Sequence, residues 1–128
     1  MKQRFARILM VHPDIGITVD QWVLLQLIYR HQSLSQQELG ELAFKDAPTV
    51  TRILDILVDK KLVLRNIDLL DRRKFTLSLT TQGKRTYKLV LPLLYEFRSE
   101  AYDNIPDEEL SIVNNVMSKI FENLSKLN

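Results

Sequence analysis

Between residues 46 and 83 the hydrophobic period changes once, and that change restricts the fold more than any other feature of the chain. Val50, Ile53, Leu54, Leu57 and Val58 follow i, i+3, i+4, i+7, i+8, a single stripe on an α-helix. From residue 62 the period falls towards two. Residues 62–67 alternate weakly, and Phe75, Leu77 and Leu79 alternate strongly with Lys74, Thr76 and Ser78. Residues 68–73 between them read as a charged hairpin tip. Two short strands are not stable alone in water, so the neighbouring helices have to form the body they pack on. The expected class is mainly α with a small β-wing.

The rest of the chain reads as helices with marked starts. Residues 1–12 suit a short amphipathic helix with Phe5, Ile8, Leu9 and His12 on one side, stopped by Pro13. Thr18 and Gln21 make a capping box, with Ile17 and Trp22 as a hydrophobic staple. The helix they open should run to about Arg30 and bury Trp22, Val23, Leu25, Leu27, Ile28 and Tyr29. Ser35 and Glu38 repeat the box before a two-turn helix whose inward face is Leu39, Leu42 and Ala43. Phe44 and Lys45 form a turn, and Asp46 caps the striped helix, expected over 46–61. Pro48 is tolerated in its first turn, where a missing N–H has no intrahelical acceptor.

Thr80 caps a long helix carrying Tyr87, Val90, Leu94 and Phe97 at helical spacing, which Pro92 should kink or divide. Asn104-Ile105-Pro106 interrupts the chain. Asp107, Glu108 and Glu109 favour the start of a last helix, striped by Leu110, Val113, Met117, Ile120, Leu124 and Leu127. That stripe exceeds what one small domain needs to cover. It suits packing on the preceding long helix, pairing with a second copy, or both.

Charge is unevenly placed. The net charge of +2 divides into 0 over residues 1–42, +6 over 43–89 and −4 over 90–128. A polyanion is therefore drawn to the middle third alone. With 128 residues, 3 Gly, 4 Pro and no Cys, the chain suits one domain without long loops, disulfides, thiolate metal sites or thiol redox chemistry, and it fits a reducing cytoplasm. No signal-like or membrane-spanning run stands out.

A short helix, a tight turn and a second helix with a polar front make a helix-turn-helix. The major groove admits one helix, and base edges are read by hydrogen-bonding side chains near its N-terminus. Thr49 and Thr51 donate or accept there, and Arg52 suits guanine or a phosphate. Pro48 opens the same front. Ser35, Gln36 and Gln37, at the start of the preceding helix, suit phosphate contacts. At the hairpin tip Arg72 and Arg73, followed by Lys74, suit phosphates or a narrow minor groove, and Asp71 beside them suits holding Arg73 in place. Ordinary solvated surface is the plain alternative for each of these positions.

The run Asp71-Arg72-Arg73-Lys74-Phe75-Thr76-Leu77-Ser78-Leu79-Thr80-Thr81-Gln82-Gly83 matches the pattern D-x-R-x-x-x-L-x-L-T-x-x-G. In this it resembles the MarR family of bacterial transcription regulators. Residues 34–39, 48–55 and 60–63 also look like that family's helix-turn-helix and wing entry. The resemblance implies a homodimer whose body is built from helices at both chain ends, with one winged domain per subunit reading half of a pseudo-palindromic operator in double-stranded DNA. The organisation it implies within the single 1–128 chain is a short N-terminal helix (1–16), a winged helix-turn-helix (17–80) and C-terminal dimerisation helices (81–128). It places Thr49, Thr51 and Arg52 in the major groove and wing 68–74 on the minor groove, with Asp71 orienting Arg73. It also implies a small aromatic or phenolic effector that weakens DNA binding. His12, Trp22 and Tyr29 are the candidate residues for it, although core packing is the favoured reading of Trp22 and Tyr29. The chain departs from the family in its short first helix and in Leu69-Leu70 at the wing tip. These leucines either pack back on the domain or mark a protein contact.

A second function class stays open, a winged-helix adaptor that binds another protein through Leu69-Leu70 and the acidic last helix. An enzyme is not indicated. The two histidines, His12 and His31, have no acidic cluster near them in sequence, so no metal or other cofactor is expected.

Overall fold

The computed structural model describes residues 2–31, 33–67, 69–71 and 75–127. Their order is α1 (Lys2–Met10), α2 (Val19–Arg30), β1 (Leu34–Ser35), α3 (Gln36–Ala43), α4 (Ala47–Asp59), β2 (Val63–Ile67), β3 (Phe75–Leu79), α5 (Thr81–Ala101) and α6 (Asp107–Leu127). By internal packing the chain forms two units, Met1–Tyr95 and Glu96–Asn128.

The first unit is built around α2, which lies against α1, α3, α4 and β3. Its start is the expected capping box. The Gln21 backbone N–H donates to Thr18 Oγ1 at 3.2 Å, and the Thr18 N–H donates to Gln21 Oε1 at 3.2 Å. Trp22, Leu24, Leu25 and Ile28 are buried, while Val23 and Leu27 are half-buried and Tyr29 is 43% exposed. The inward face is thus rotated from the expected one towards Leu24. A helix apolar on several sides leaves that rotation to its neighbours.

Each following helix starts where a side chain supplies the cap. Ser35 Oγ accepts from the Glu38 N–H at 3.1 Å, and Asp46 Oδ1 accepts from the Thr49 N–H at 2.8 Å. Between these helices Phe44 adopts a left-handed conformation (φ 56°), which ends α3 and turns the chain. Leu39 and Gly40 are buried, but Leu42 is 43% exposed, contrary to the expected inward face. In two turns the narrow inward stripe is filled by Leu39 and Gly40. In α4, Val50, Ile53, Leu54 and Leu57 are all buried, as their spacing requires.

The sheet has the order β1-β3-β2 and is antiparallel throughout. Leu34 faces Leu77 and Ser35 faces Thr76, so the residues that start the helix-turn-helix also form a short strand, which periodicity does not show. Val63 pairs with Leu79 and Arg65 with Leu77, on the face turned to the core. At the far end of that face Ile67 pairs with Phe75, and both are exposed.

Thr80 joins the wing to α5. Its N–H donates to Leu62 O at 3.0 Å, its hydroxyl donates to Lys61 O at 2.6 Å, and that hydroxyl accepts from the Gly83 N–H at 2.9 Å. Gly83 sits so close to the start of the hairpin that a Cβ there would lie 2.1 Å from Leu62 O. Beyond it Tyr87 and Val90 are buried. Pro92 does not divide α5, which is one helix through it. Pro92 and Lys88 are both exposed, so the helical bond that proline removes lies on the solvent side.

The second unit holds the end of α5 and α6. Asn104 (φ 64°) turns the connection between α5 and α6, and three acidic residues occupy the first turn of α6. No residue of α6 is buried within the chain. No helix among the described residues is long and apolar enough to cross a membrane.

Candidate nucleic-acid interface

The front of α4 presents Pro48, Thr51 and Arg52 to solvent, with Thr49 half-buried. Asp46 determines how this front begins. Hydrogen bonds from the Thr49 hydroxyl and then the Thr49 backbone N–H hold the Asp46 carboxyl below its ordinary pKa, and the charges of Arg52 and Lys45 add to this. The Thr49 hydroxyl is therefore occupied at the cap, which leaves Thr51 and Arg52 as the outward-facing groups of the first turns.

Thr51 is fixed from the side. Gln36 Nε2 donates to Thr51 Oγ1 at 2.7 Å, across the angle between α3 and α4. With its acceptor side engaged, the Thr51 hydroxyl keeps its own hydrogen to donate. Ser35 is committed to the α3 cap, while Gln37 is exposed one position beyond Gln36. Gln36, Gln37, Lys45 and Ala47 line a shallow cleft at the helix-turn-helix corner, and Ala47, Pro48, Thr51, Arg52 and Asp55 line a second along α4. Gln36, Gln37, Pro48, Thr51 and Arg52 thus line two clefts that share Ala47, while Ser35 and Thr49 are held at the caps.

The wing is tied to that front by an ion pair. Arg65 Nη2 donates to Asp55 Oδ1 at 2.7 Å, linking β2 to α4. Asp55 lies on the exposed face of α4, and nothing local in the sequence names its partner. The signal available was an arginine at an inward strand position, where a long stem crosses apolar surface to reach a carboxylate. Two further lysines are held by the scaffold. Lys60 Nζ donates to Gly16 O at 2.6 Å and Gln21 Oε1 at 2.9 Å, and Lys45 Nζ lies 3.3 Å from Asp20 Oδ1. Of the tip residues, Arg72, Arg73 and Lys74 lie outside the described residues, and with them the expected orientation of Arg73 by Asp71. Leu69 and Leu70 are 96% and 98% exposed, so the first alternative, packing back on the domain, does not hold.

The effector candidates separate. Trp22 is buried and stacks on Tyr87 (ring centroids 5.4 Å apart), and Tyr87 stacks on Tyr29 at 3.9 Å. Trp22 and Tyr29 are therefore brought together through a third ring that the sequence reading assigned only to the α5 stripe. His12 is half-buried in the turn after α1, where its carbonyl accepts from the Ile15 N–H at 3.0 Å. An apolar cleft nearby is lined by Ala6, Leu9, Met10, Pro13, Ile17 and Val19 among others, and none of the three candidates lines it. Among the described residues no group of three or more His, Cys, Asp or Glu is placed to hold a metal ion.

The MarR family model matches residues 17–75. The HTH-type transcriptional regulator SarZ of Staphylococcus aureus is 33% identical, over 88% of this chain and 78% of its own length. Among solved structures, the MepR–DNA complex of S. aureus superposes with a TM-score of 0.82 at 27% identity, over 97% of this chain and 89% of that one. The S. aureus MarR complex with salicylate and kanamycin superposes with a TM-score of 0.77 at 28% identity, over 97% and 82%. Identity of this extent on a shared winged helix-turn-helix means that the chain belongs to the MarR family of transcription regulators, which are not enzymes.

Proposed function

We propose that the chain is a dimeric repressor that reads a pseudo-palindromic operator, with α4 in the major groove and wing 68–74 on the minor groove. The observation that carries this reading is the joint fixing of α3, α4 and β2 by the Gln36–Thr51 and Asp55–Arg65 bonds, with Thr51 and Arg52 outward. Thr51 donates to a base acceptor and Arg52 pairs with guanine or a phosphate, while Gln37 and the α3 start take phosphates. The MepR–DNA complex supports the reading by similarity of fold.

A second copy is the proposed partner of residues 81–128. Ile112, Val113, Val116, Met117, Ile120 and Phe121 of α6 are between 44% and 61% exposed, a contiguous apolar face of the kind that marks protein association. A small aromatic or phenolic effector is the proposed release signal, acting in the cytoplasm where the operator is. The exposed Tyr29 ring, backed by Tyr87, offers a stacking surface for it, and the salicylate complex of S. aureus MarR supports the ligand class.

Fluorescence anisotropy with duplex from the chain's own promoter region tests the reading. Binding should be salt-dependent and tighter than to random duplex, with a stoichiometry of two chains per site. Equal affinity for both duplexes would overturn it.

A further inference from the structure

The wing carries apolar side chains out to its tip. Val63 and Leu79 at its base are buried, Ile67 and Phe75 pair across the strands at 59% and 46% exposure, and Leu69 and Leu70 beyond them are almost fully exposed. Solvated apolar groups at the end of a projecting hairpin gain by meeting an apolar surface. The surrounding charge narrows which surface that is. Arg72, Arg73 and Lys74 follow in sequence within the +6 middle third, and the Asp55–Arg65 bond aligns the hairpin with the outward front of α4. The partner therefore accepts cations and aliphatic groups from neighbouring positions in the sequence, beside the outward front of α4. The minor groove of duplex DNA has that composition. Phosphates line its rim, deoxyribose C–H groups form its walls, and its base steps open to apolar wedges.

We propose that Leu69 and Leu70 enter the operator minor groove as an apolar wedge, packing on the sugar walls and partly unstacking one base step. The proposal rests on the DNA-reading function above and adds a mode of selection to it. Pyrimidine–purine steps, TA above all, unstack most easily. Each wing then favours such a step by its deformability, and the duplex bends at both wings.

The full-length chain with Leu69→Ser and Leu70→Ser together is the test, and both sites are exposed enough that folding should be unchanged by circular dichroism. On promoter duplex in circular-permutation electrophoresis, the wild type should bend the DNA and the double variant should not. The variant should bind about tenfold more weakly, with an unchanged salt slope because no charge is lost. Replacing the TA step under the wing should weaken the wild type alone. A Leu70→Trp variant should show extra fluorescence quenching on operator binding.

Wild-type affinity and bend in the double variant would overturn the wedge. If Arg52→Ala still abolishes operator binding, the DNA-reading function survives that result. Loss of binding to anionic vesicles or to a protein partner in the double variant, with DNA binding and bend intact, would also overturn it. A wild-type chain that does not prefer its promoter duplex would overturn both the wedge and the reading beneath it.

Discussion

Gln36 and Thr51 are fifteen residues apart in sequence and 2.7 Å apart in space, joined by a hydrogen bond from the amide of one helix to the hydroxyl of the next. The bond is exposed, so it adds at most about 1 kcal/mol to folding. Its larger effect is on the rotamer and free donor of Thr51. Thr51→Val should leave the melting temperature nearly unchanged while weakening operator binding by about 1–3 kcal/mol. Gln36→Ala should weaken it less. Anisotropy titrations beside thermal melts check both.

Gly83→Ala should be among the most damaging single-methyl changes in the chain. The added Cβ would lie 2.1 Å from Leu62 O, a backbone atom that cannot swing aside. The first turn of α5 must then move off the hairpin base, at a cost of about 1–3 kcal/mol. Urea unfolding reads this as a lower midpoint at an unchanged slope.

The Asp46 cap predicts an acid dependence. Its carboxyl titrates below the ordinary value of 3.8 because the Thr49 hydroxyl and N–H bind the ionised form. A depressed folded-state pKa gives stability that is fully present above the unfolded value and lost as the pH falls through the folded one. Asp46→Asn keeps a cap without a titrating group. Its stability should change less than that of the wild type below pH 3.8, with near-identical stability at neutral pH. Thermal melts across an acid series would show parallel losses in both proteins if the cap is not responsible.

Asp55 and Arg65 should contribute to binding more than to folding. Their side chains are 57% and 28% exposed, so the pair adds about 0.2–1 kcal/mol to stability. Breaking it loosens β2 on α4, which it still packs against. A double-mutant cycle with Asp55→Ala and Arg65→Ala should give a larger coupling energy for operator binding than for urea unfolding. Equal coupling in the two assays would count against a positioning role for the pair.

Tyr87→Ala should destabilise the first unit by about 3–5 kcal/mol, since it empties the centre of the Trp22–Tyr87–Tyr29 stack. Trp22 is the only tryptophan, so its emission should shift to the red as water reaches it. Tyr29→Ala, on the exposed end of the stack, should cost far less and should mainly alter any quenching by an aromatic effector.

Features encoded within one turn or one strand were legible in the sequence. The caps at Thr18, Ser35, Asp46 and Thr80, the α4 stripe and the β3 alternation all depend on neighbours in the chain and are present in the structure, though of the expected Ser35–Glu38 box only the Ser35 half forms. What could not be read depends on pairs far apart. The two residues of β1 have no period of their own and become a strand only because β3 passes beside them. Leu42 and Tyr29 have apolar identities that argue for burial, yet neighbouring Leu39 and Leu24 fill the space. On the candidate interface, residue types marked Thr51 and Arg52 as outward-facing. The bonds from Gln36 and Arg65 that hold this front together needed the fold to bring their partners within reach.

The bonds of Thr80 make the wing a lever with a single fulcrum. The hairpin leaves the body at Lys61 and Leu62 and returns at Thr80, and the same threonine closes both ends together before handing the chain to α5. A small rotation of the first turn of α5 is therefore delivered to both strands at once and magnified over the length of the hairpin. The displacement is greatest at the far ends of the strands, Ile67 and Phe75, because they lie farthest from the joint. On the proposed function, an effector that turns α5 by a few degrees would lift the wing from the operator without touching DNA.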